Sequence, residues 1–215
     1  MDFRSCEWCG HEMGTRPDLG LLTVAPKTSV RHEVYRATVI VRRQKMIRIR
    51  KEQPQDIKAI REVNKQAFGQ IQEADVVDKL RDNCSDLVSL VAVMQNHVVG
   101  HILFSPATIE GKNRTVEGMG LAPMAVLPEY QRQGIGSELI RTGIAKLKTR
   151  RCPFVIVLGH ADYYPRFGFK PASHHGIRSE WEVPEGAFMI LVLNESEMYS
   201  ISGVARYRPE FAEAM

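Results

Sequence analysis

Leu121-Ala-Pro-Met-Ala-Val-Leu127, running straight into Pro128-Glu-Tyr-Gln-Arg-Gln-Gly-Ile-Gly-Ser137, decides the reading of this chain. The first seven residues are apolar and strand-like. The residues after Ser137, up to Arg150, follow an amphipathic helical pattern. A strand that feeds a glycine-containing turn at a helix start leaves several main-chain N–H groups without helical partners, aimed at one point. With the positive end of the helix dipole, that point suits a phosphate or pyrophosphate. Gly134 and Gly136 carry no Cβ, so an anion can approach the backbone closely.

What the motif lacks narrows the anion. A nucleotide-triphosphate loop would place a Lys after the last glycine, and Ser137 stands there. A dinucleotide fingerprint would need a third glycine where Leu139 stands. What remains is Gln131-x-x-Gly134-x-Gly136 behind a strand.

Outward from this stretch the pattern is regular. Met46-Ile-Arg-Ile-Arg-Lys51 alternates like an edge strand. Pro54 opens a helix whose face is Ile57, Ile60, Val63, Ala67 and Phe68, with Gly69 just past its end. A second helix is expected over residues 73–81. Residues 87–94 and 97–109 read as a hairpin around Gln95-Asn96, and residues 115–127 as a long strand. Phe154-Val-Ile-Val-Leu158 is apolar throughout, as in a strand covered on both faces. A short helix is expected near 162–167, ending at Gly168, and residues 188–193 form the last clear strand.

This order, with the Gln-x-x-Gly-x-Gly turn after the fourth strand, resembles the GNAT superfamily of acetyl-coenzyme A-dependent N-acetyltransferases. Tyr163-Tyr-Pro-Arg-Phe-Gly-Phe169 is similar to that family's Tyr-x-x-x-Gly-Phe segment. Together with Val157-Leu-Gly-His160 and Val183-Pro-Glu-Gly-Ala-Phe-Met189, it points to the subgroup of bacterial predicted N-acetyltransferases. The resemblance covers about residues 46–195. It implies an α/β (α+β) fold: a single mixed, mostly antiparallel sheet, splayed between its fourth and fifth strands, with helices on both faces.

It also implies roles. The main chain of Arg132, Gln133, Gly134, Ile135, Gly136 and Ser137 would hold the cofactor pyrophosphate, so the side chains of Arg132 and Gln133 matter less. Pro123 inside a strand removes a ladder donor and marks a bulge, which would open a wedge beside the fifth strand. By resemblance, pantetheine lies in that wedge along Met124, Ala125 and Val126. An N–H freed near Met124 would face the thioester oxygen as charge develops there. Tyr164 matches the family's proton donor to the leaving thiolate, whereas Tyr163 is expected to pack; a slip of one residue would exchange them.

The base does not carry over, because the fifth strand is wholly apolar and Gly159-His160-Ala161-Asp162 replaces the family's usual Asn. A lysine-like amine, with a pKa of about 10.4, costs about 4.6 kcal/mol to deprotonate at pH 7, so a base or water relay would help. His160, at the end of a central strand, and Glu117, ahead of the bulge, are the two candidates. No cysteine adjoins the motif, so direct transfer in a ternary complex is expected rather than an acetyl-enzyme. A non-catalytic acyl-coenzyme A sensing module of the same fold is the alternative from another class.

Composition bounds the rest. The net charge of +4 is uneven: residues 1–45 hold eight Lys/Arg against five Asp/Glu, and the remainder is nearly neutral. No electrostatic case for nucleic acid follows. No apolar run reaches the roughly 18 residues of a membrane helix, and the polar start is not a signal peptide. Four cysteines, with Cys84 and Cys152 isolated, fit a reducing compartment, and the cytoplasm is expected. Residues 1–45 read as a flexible extension ahead of a domain spanning 46–215. Cys6-Glu-Trp-Cys9-Gly-His11, even with His32, makes a poor zinc set. No metal is therefore expected, and a zinc-dependent interaction protein rests on Cys6 and Cys9 alone. The expected partner is a small-molecule or peptide amine; a homodimer is compatible with the sequence. The acceptor would be chosen by the loop 69–72 and by residues 172–187, whose Glu180, Glu182 and Glu185 favour a cation.

Overall fold

The computed structural model describes residues 47–213. The Cys6/Cys9/His11/His32 group and the expected extension lie outside the described residues. β1 (Arg48–Lys51) leads through a 3-10 turn at Pro54–Asp56 into α1 (Ile57–Phe68), and α2 (Gln72–Asn83) follows. Then come β2 (Val88–Met94), β3 (His97–Gly111), β4 (Thr115–Val126), α3 (Ile135–Thr149) and β5 (Phe154–Leu158). Then follow β6 (Lys170–Pro171), β7 (Ile177–Ser179), β8 (Phe188–Val192), α4 (Glu195–Met198), β9 (Gly203–Arg206) and a 3-10 turn at Pro209–Glu213.

The strands form one sheet in the order β1-β2-β3-β4-β5-β8-β6, with β9 paired to β3 and β7. Pairing is antiparallel except for β4–β5 and β7–β9. Two apolar clusters lie on opposite faces. One joins Ile60, Val76, Val77 and Leu80 of α1 and α2 to Leu103, Ala107, Phe154 and Ile156. The other joins Leu139, Ile140 and Leu147 of α3 to Ile102, Phe104, Leu121 and Val157. Helical spacing on one side and two-residue alternation on the other produce these clusters, and each fully buried Leu, Ile or Phe contributes about 1.5–3 kcal/mol. The mixed splayed sheet expected from the sequence is present. β9 was not anticipated, because four residues with a glycine carry little strand signal.

A polar chain crosses the first cluster. His101, on the second strand of the β2–β3 hairpin, is fully buried, because β3 is covered on both faces at that level. Asn64 on α1 donates to the Ile60 carbonyl at 2.9 Å and lies 3.1 Å from His101 Nδ1. Its amide donates in both contacts, so Nδ1 accepts and Nε2 carries the proton toward Ser89 Oγ at 3.0 Å. Ser89 donates onward to Glu52, which pairs with Arg81 Nε at 2.6 Å. This chain ties α1, α2, β1, β2 and β3 together. Burial opposes the charge on Glu52, but hydrogen bonds from Arg81 and Ser89 hold its carboxyl below the usual range. Burial lowers the His101 imidazole to about 4.

The unfolded chain therefore binds a proton at this histidine below its ordinary pKa of about 6.5, while the folded protein declines it until about pH 4. Stability from this site is present above pH 6.5 and is lost as pH falls toward 4, by up to about 3 kcal/mol. The melting temperature is expected to drop steadily between pH 7 and 5, and His101→Gln to flatten much of that slope. An unchanged slope in His101→Gln would show that other groups set it.

Candidate active site

The site is built where β4 loses its neighbour. β4 and β5 pair in parallel only at Met119–Val155, Gly120–Ile156 and Leu121–Val157. On β4's other side, Ile102 faces Met124 and Phe104 faces Leu121, so Leu103 opposes both Ala122 and Pro123. One extra residue stands on β4, and the Ala122–Pro123 bond is cis. Proline cannot supply a ladder N–H, and the bulge turns the strand. Beyond Leu121 the edge of Met124, Ala125 and Val126 that faces away from β3 has no strand beside it among the described residues. A fork results, with backbone groups on one side.

The fork leads to a turn. A 3-10 turn at Pro128–Tyr130 is followed by Arg132 at φ 58° and Gly134 at φ 85°, and α3 begins at Ile135. The first helical N–H bond runs from Glu138 to the Gly134 carbonyl at 3.1 Å. The N–H groups of Ile135, Gly136 and Ser137 therefore form the open first turn of a 15-residue helix. Nothing lies within 4 Å of the position a Gly134 Cβ would take, so the space over the turn is clear. Gln133 donates to the Glu129 carbonyl at 3.0 Å and Arg132 is exposed, so these side chains shape or flank the turn. Gln131 has a role that the sequence reading did not give it. Its amide donates to the Val126 carbonyl at 3.0 Å, which fastens the turn to the end of the fork strand.

Tyr164 lies against Gly159, just past the end of β5, in the α3-side cluster. It begins a 3-10 turn, Tyr164–Phe167, and is 7% exposed. Its ring stands edge-on to Phe169 at 5.6 Å and to Tyr163 at 5.3 Å. Arg141 of α3 lies over Phe167 at 5.7 Å, so the helix that begins at the glycine turn also steadies the Tyr164 turn. Tyr163 is half-buried, with Arg166 over its ring at 4.7 Å.

A chain with this fork and turn has relatives that bind coenzyme A. The acetyltransferase (GNAT) domain family matches residues 48–172. The chain belongs to the GNAT acetyltransferase family. It is 47% identical over 133 residues to the Escherichia coli uncharacterized N-acetyltransferase YjhQ, covering 60% of this chain and 74% of that protein. It is 32% identical over 164 residues to YhbS of the same organism, covering 76% and 97%. The solved structure of E. coli YhbS in complex with CoA superimposes with a TM-score of 0.72 at 30% identity, over 77% of this chain and 92% of that one. A GNAT acetyltransferase from Brucella melitensis in complex with acetyl-CoA gives 0.61 at 34% identity, over 78% and 99%.

Within this GNAT domain the two candidate bases separate. His160 comes one residue after Gly159 at the end of β5 and is half-buried. Its carbonyl accepts the Tyr163 N–H at 3.0 Å, which starts the Tyr164 turn. Glu117 is elsewhere, and the expectation that it serves the fork is corrected. It is exposed, sits two residues before the first β4–β5 rung, and precedes Met124 by about 20 Å of extended strand. There it lines an open cavity of about 670 Å³ with Asp86, Thr108, Arg150, Arg151 and Cys152. Nearness in sequence misled, because β4 is long enough to put Glu117 and Met124 on opposite sides of its rungs with β5. Cys152 lies at that far end too, where burial raises its thiol pKa.

Among the described residues no three His, Cys, Asp or Glu side chains are grouped to hold a metal ion. His174 is exposed in a 3-10 turn, and His97 is exposed at the start of β3. No helix among the described residues is long and apolar enough to cross a membrane.

Proposed function

We propose that the protein transfers the acetyl group of acetyl-coenzyme A to a primary amine, directly and without an acetyl-enzyme. The observation that carries this reading is the continuity of the fork edge at Met124–Val126 with the open first turn of α3. An extended thioester-bearing arm and a pyrophosphate need that pair of features in that order. Acetyl-coenzyme A supplies an activated thioester carbonyl. The N–H groups of Ile135, Gly136 and Ser137 fit its pyrophosphate, and the edge of Met124, Ala125 and Val126 fits its amide-bearing arm as an added strand. The bulge at Ala122–Pro123 frees main-chain donors near Met124 for the thioester oxygen. Tyr164 supplies a hydroxyl proton to the leaving sulfur, and His160 is placed to take one from the amine, directly or through water. Tyr163 serves to pack the Tyr164 turn.

The experiment follows thiol release from acetyl-coenzyme A with alkyl amines, polyamines, amino acids and short peptides as acceptors. Amine-dependent release supports the transferase reading. Tight acetyl-coenzyme A binding with no release for any acceptor would favour a sensing module instead.

Gly159→Ala tests the placement of Tyr164. A Cβ at Gly159 would lie 2.5 Å from Tyr164 Cε2, so the ring must move. Turnover is expected to fall at least about tenfold while acetyl-coenzyme A affinity stays near wild type, since misplacing a reacting group by an ångström is costly. Unchanged turnover would mean that the ring position is not critical.

A further inference from the structure

Tyr207 lies beyond the segment that matches the family, just after β9, on the α1–α2 face of the sheet. Its ring occupies the space above Gly120, where a Cβ would fall 2.5 Å from Tyr207 Cε1. Gly120 is the second of the three β4–β5 rungs, and the next residue pair, Ala122 and Leu158, is the first left unpaired. The Tyr207 hydroxyl extends to the main chain of Leu158, yet it is fully buried and has no hydrogen-bond partner of good geometry. The ring therefore bridges the rung where the two strands part.

The surroundings hold that ring firmly. Trp181 stacks on it at 5.4 Å and 26°, and Phe211 meets it edge-on at 5.4 Å. Glu180 accepts the Tyr207 N–H at 2.7 Å. A side chain fixed this well has had its hydroxyl desolvated with only a poorly aligned contact to Leu158 in return, and leaving such a group without a good partner costs about 1–3 kcal/mol. Nor is it the only orphan on this face. Ser105, the register partner of Gly120, has a buried hydroxyl without a partner, and so does the Asn64 side-chain oxygen over His101. His101 faces Ala125, so these polar atoms stand on either side of the Ala122–Pro123 bulge. Buried polar atoms left unpaired in one region call for a partner that the folded chain does not supply.

We propose that Tyr207 is the acceptor-binding residue of the fork: its hydroxyl oxygen receives an N–H of the incoming amine and holds that nitrogen opposite Tyr164. The assignment rests on the transferase reading above. The two tyrosines divide the work by face, with Tyr164 packed in the α3 cluster and Tyr207 in the α1–α2 cluster. Accepting an N–H leaves the nitrogen lone pair free to attack the thioester carbon. Burial, followed by the nearby Tyr164 phenol, raises the Tyr207 pKa, so it stays a neutral phenol rather than a base. Ala122, Leu158, Trp181 and Val183 pack against the same cluster, so the stem behind the amine meets apolar walls.

The test compares Tyr207→Phe with wild type in the full chain, using thiol release with the same panel of alkyl amines, polyamines, amino acids and peptides. Expected are a fall of about tenfold or more in kcat/KM for the amine, a KM for acetyl-coenzyme A within about twofold, and a melting temperature equal to or above wild type. The last follows because removing a buried hydroxyl that has no well-aligned partner relieves a cost rather than breaking a good bond. Robust wild-type turnover that Tyr207→Phe leaves unchanged would overturn this assignment alone. A lowered melting temperature with intact amine kinetics would show the hydroxyl to belong to the fold, and would overturn it too. Absence of turnover in the wild type with every acceptor would overturn the transferase reading, and this assignment with it.

Discussion

Gly134→Asp is expected to weaken acetyl-coenzyme A binding by about 100-fold or more while the domain stays folded. Gly134 caps α3 at φ 85°, a conformation that glycine adopts freely and that Asn or Asp tolerates better than other residues. No atom lies within 4 Å of the added Cβ, so the substitution meets open space rather than a packed wall. The carboxylate would, however, stand at the turn where the N–H groups of Ile135, Gly136 and Ser137 open. A negative charge about 4 Å from a pyrophosphate costs several kcal/mol at the dielectric of a protein surface. Gly134→Asn carries nearly the same shape and backbone demand without the charge, and is expected to lose far less. Calorimetric titration of both variants decides the matter. Equal losses in the two would point to backbone strain, and wild-type affinity in both would remove the turn from the binding site.

Tyr164→Phe is expected to lower kcat by about 10²–10⁴-fold with little change in the Kd for acetyl-coenzyme A. Only the hydroxyl is removed. The ring keeps its edge contacts with Phe169 and Tyr163 and its seat against Gly159. The thiolate would then leave without a placed proton donor. Tyr163→Phe is expected to stay within about twofold, because that ring is half-buried and packs against Phe167 at 5.4 Å. If Tyr163→Phe were the damaging change instead, the donor assignment would be wrong by one residue. If neither mattered, water or another group would protonate the sulfur.

Local patterns made most of the framework legible. Pro54 and Gly69 bracket α1 because one lacks a donor that the first helical turn does not need, and the other adopts φ 69°. Pro123 announced the bulge for a similar reason, since a residue without an N–H inside a strand must interrupt a ladder. The glycine turn ahead of α3 was legible because the residues that form it are contiguous in the sequence. Relations made by folding were not legible. Glu117 and Met124 share a strand, and only the β4–β5 register shows that they lie on opposite sides of its rungs. His101 sits among apolar residues of β3, and only the cover of α1 shows that its ring is buried against Asn64 and Ser89. Tyr207 reaches the fork because β9 pairs with β3 across about a hundred residues, and no periodicity in a four-residue strand signals that. Gln131 belongs to the recognised motif, and only the structure shows its side chain bracing the turn against Val126.

The central claim is acetyl transfer to an amine without a covalent stop on the protein. The most direct measurement is a single-turnover reaction with acetyl-coenzyme A labelled in the acetyl group, followed by mass spectrometry of the acceptor pool and of the intact protein. The account predicts labelled acetyl-amine appearing in step with free coenzyme A, and no labelled protein at any time. Labelled protein that forms first and then decays as the amine is acetylated would contradict direct transfer. Bound acetyl-coenzyme A that stays intact with every amine would contradict catalysis itself.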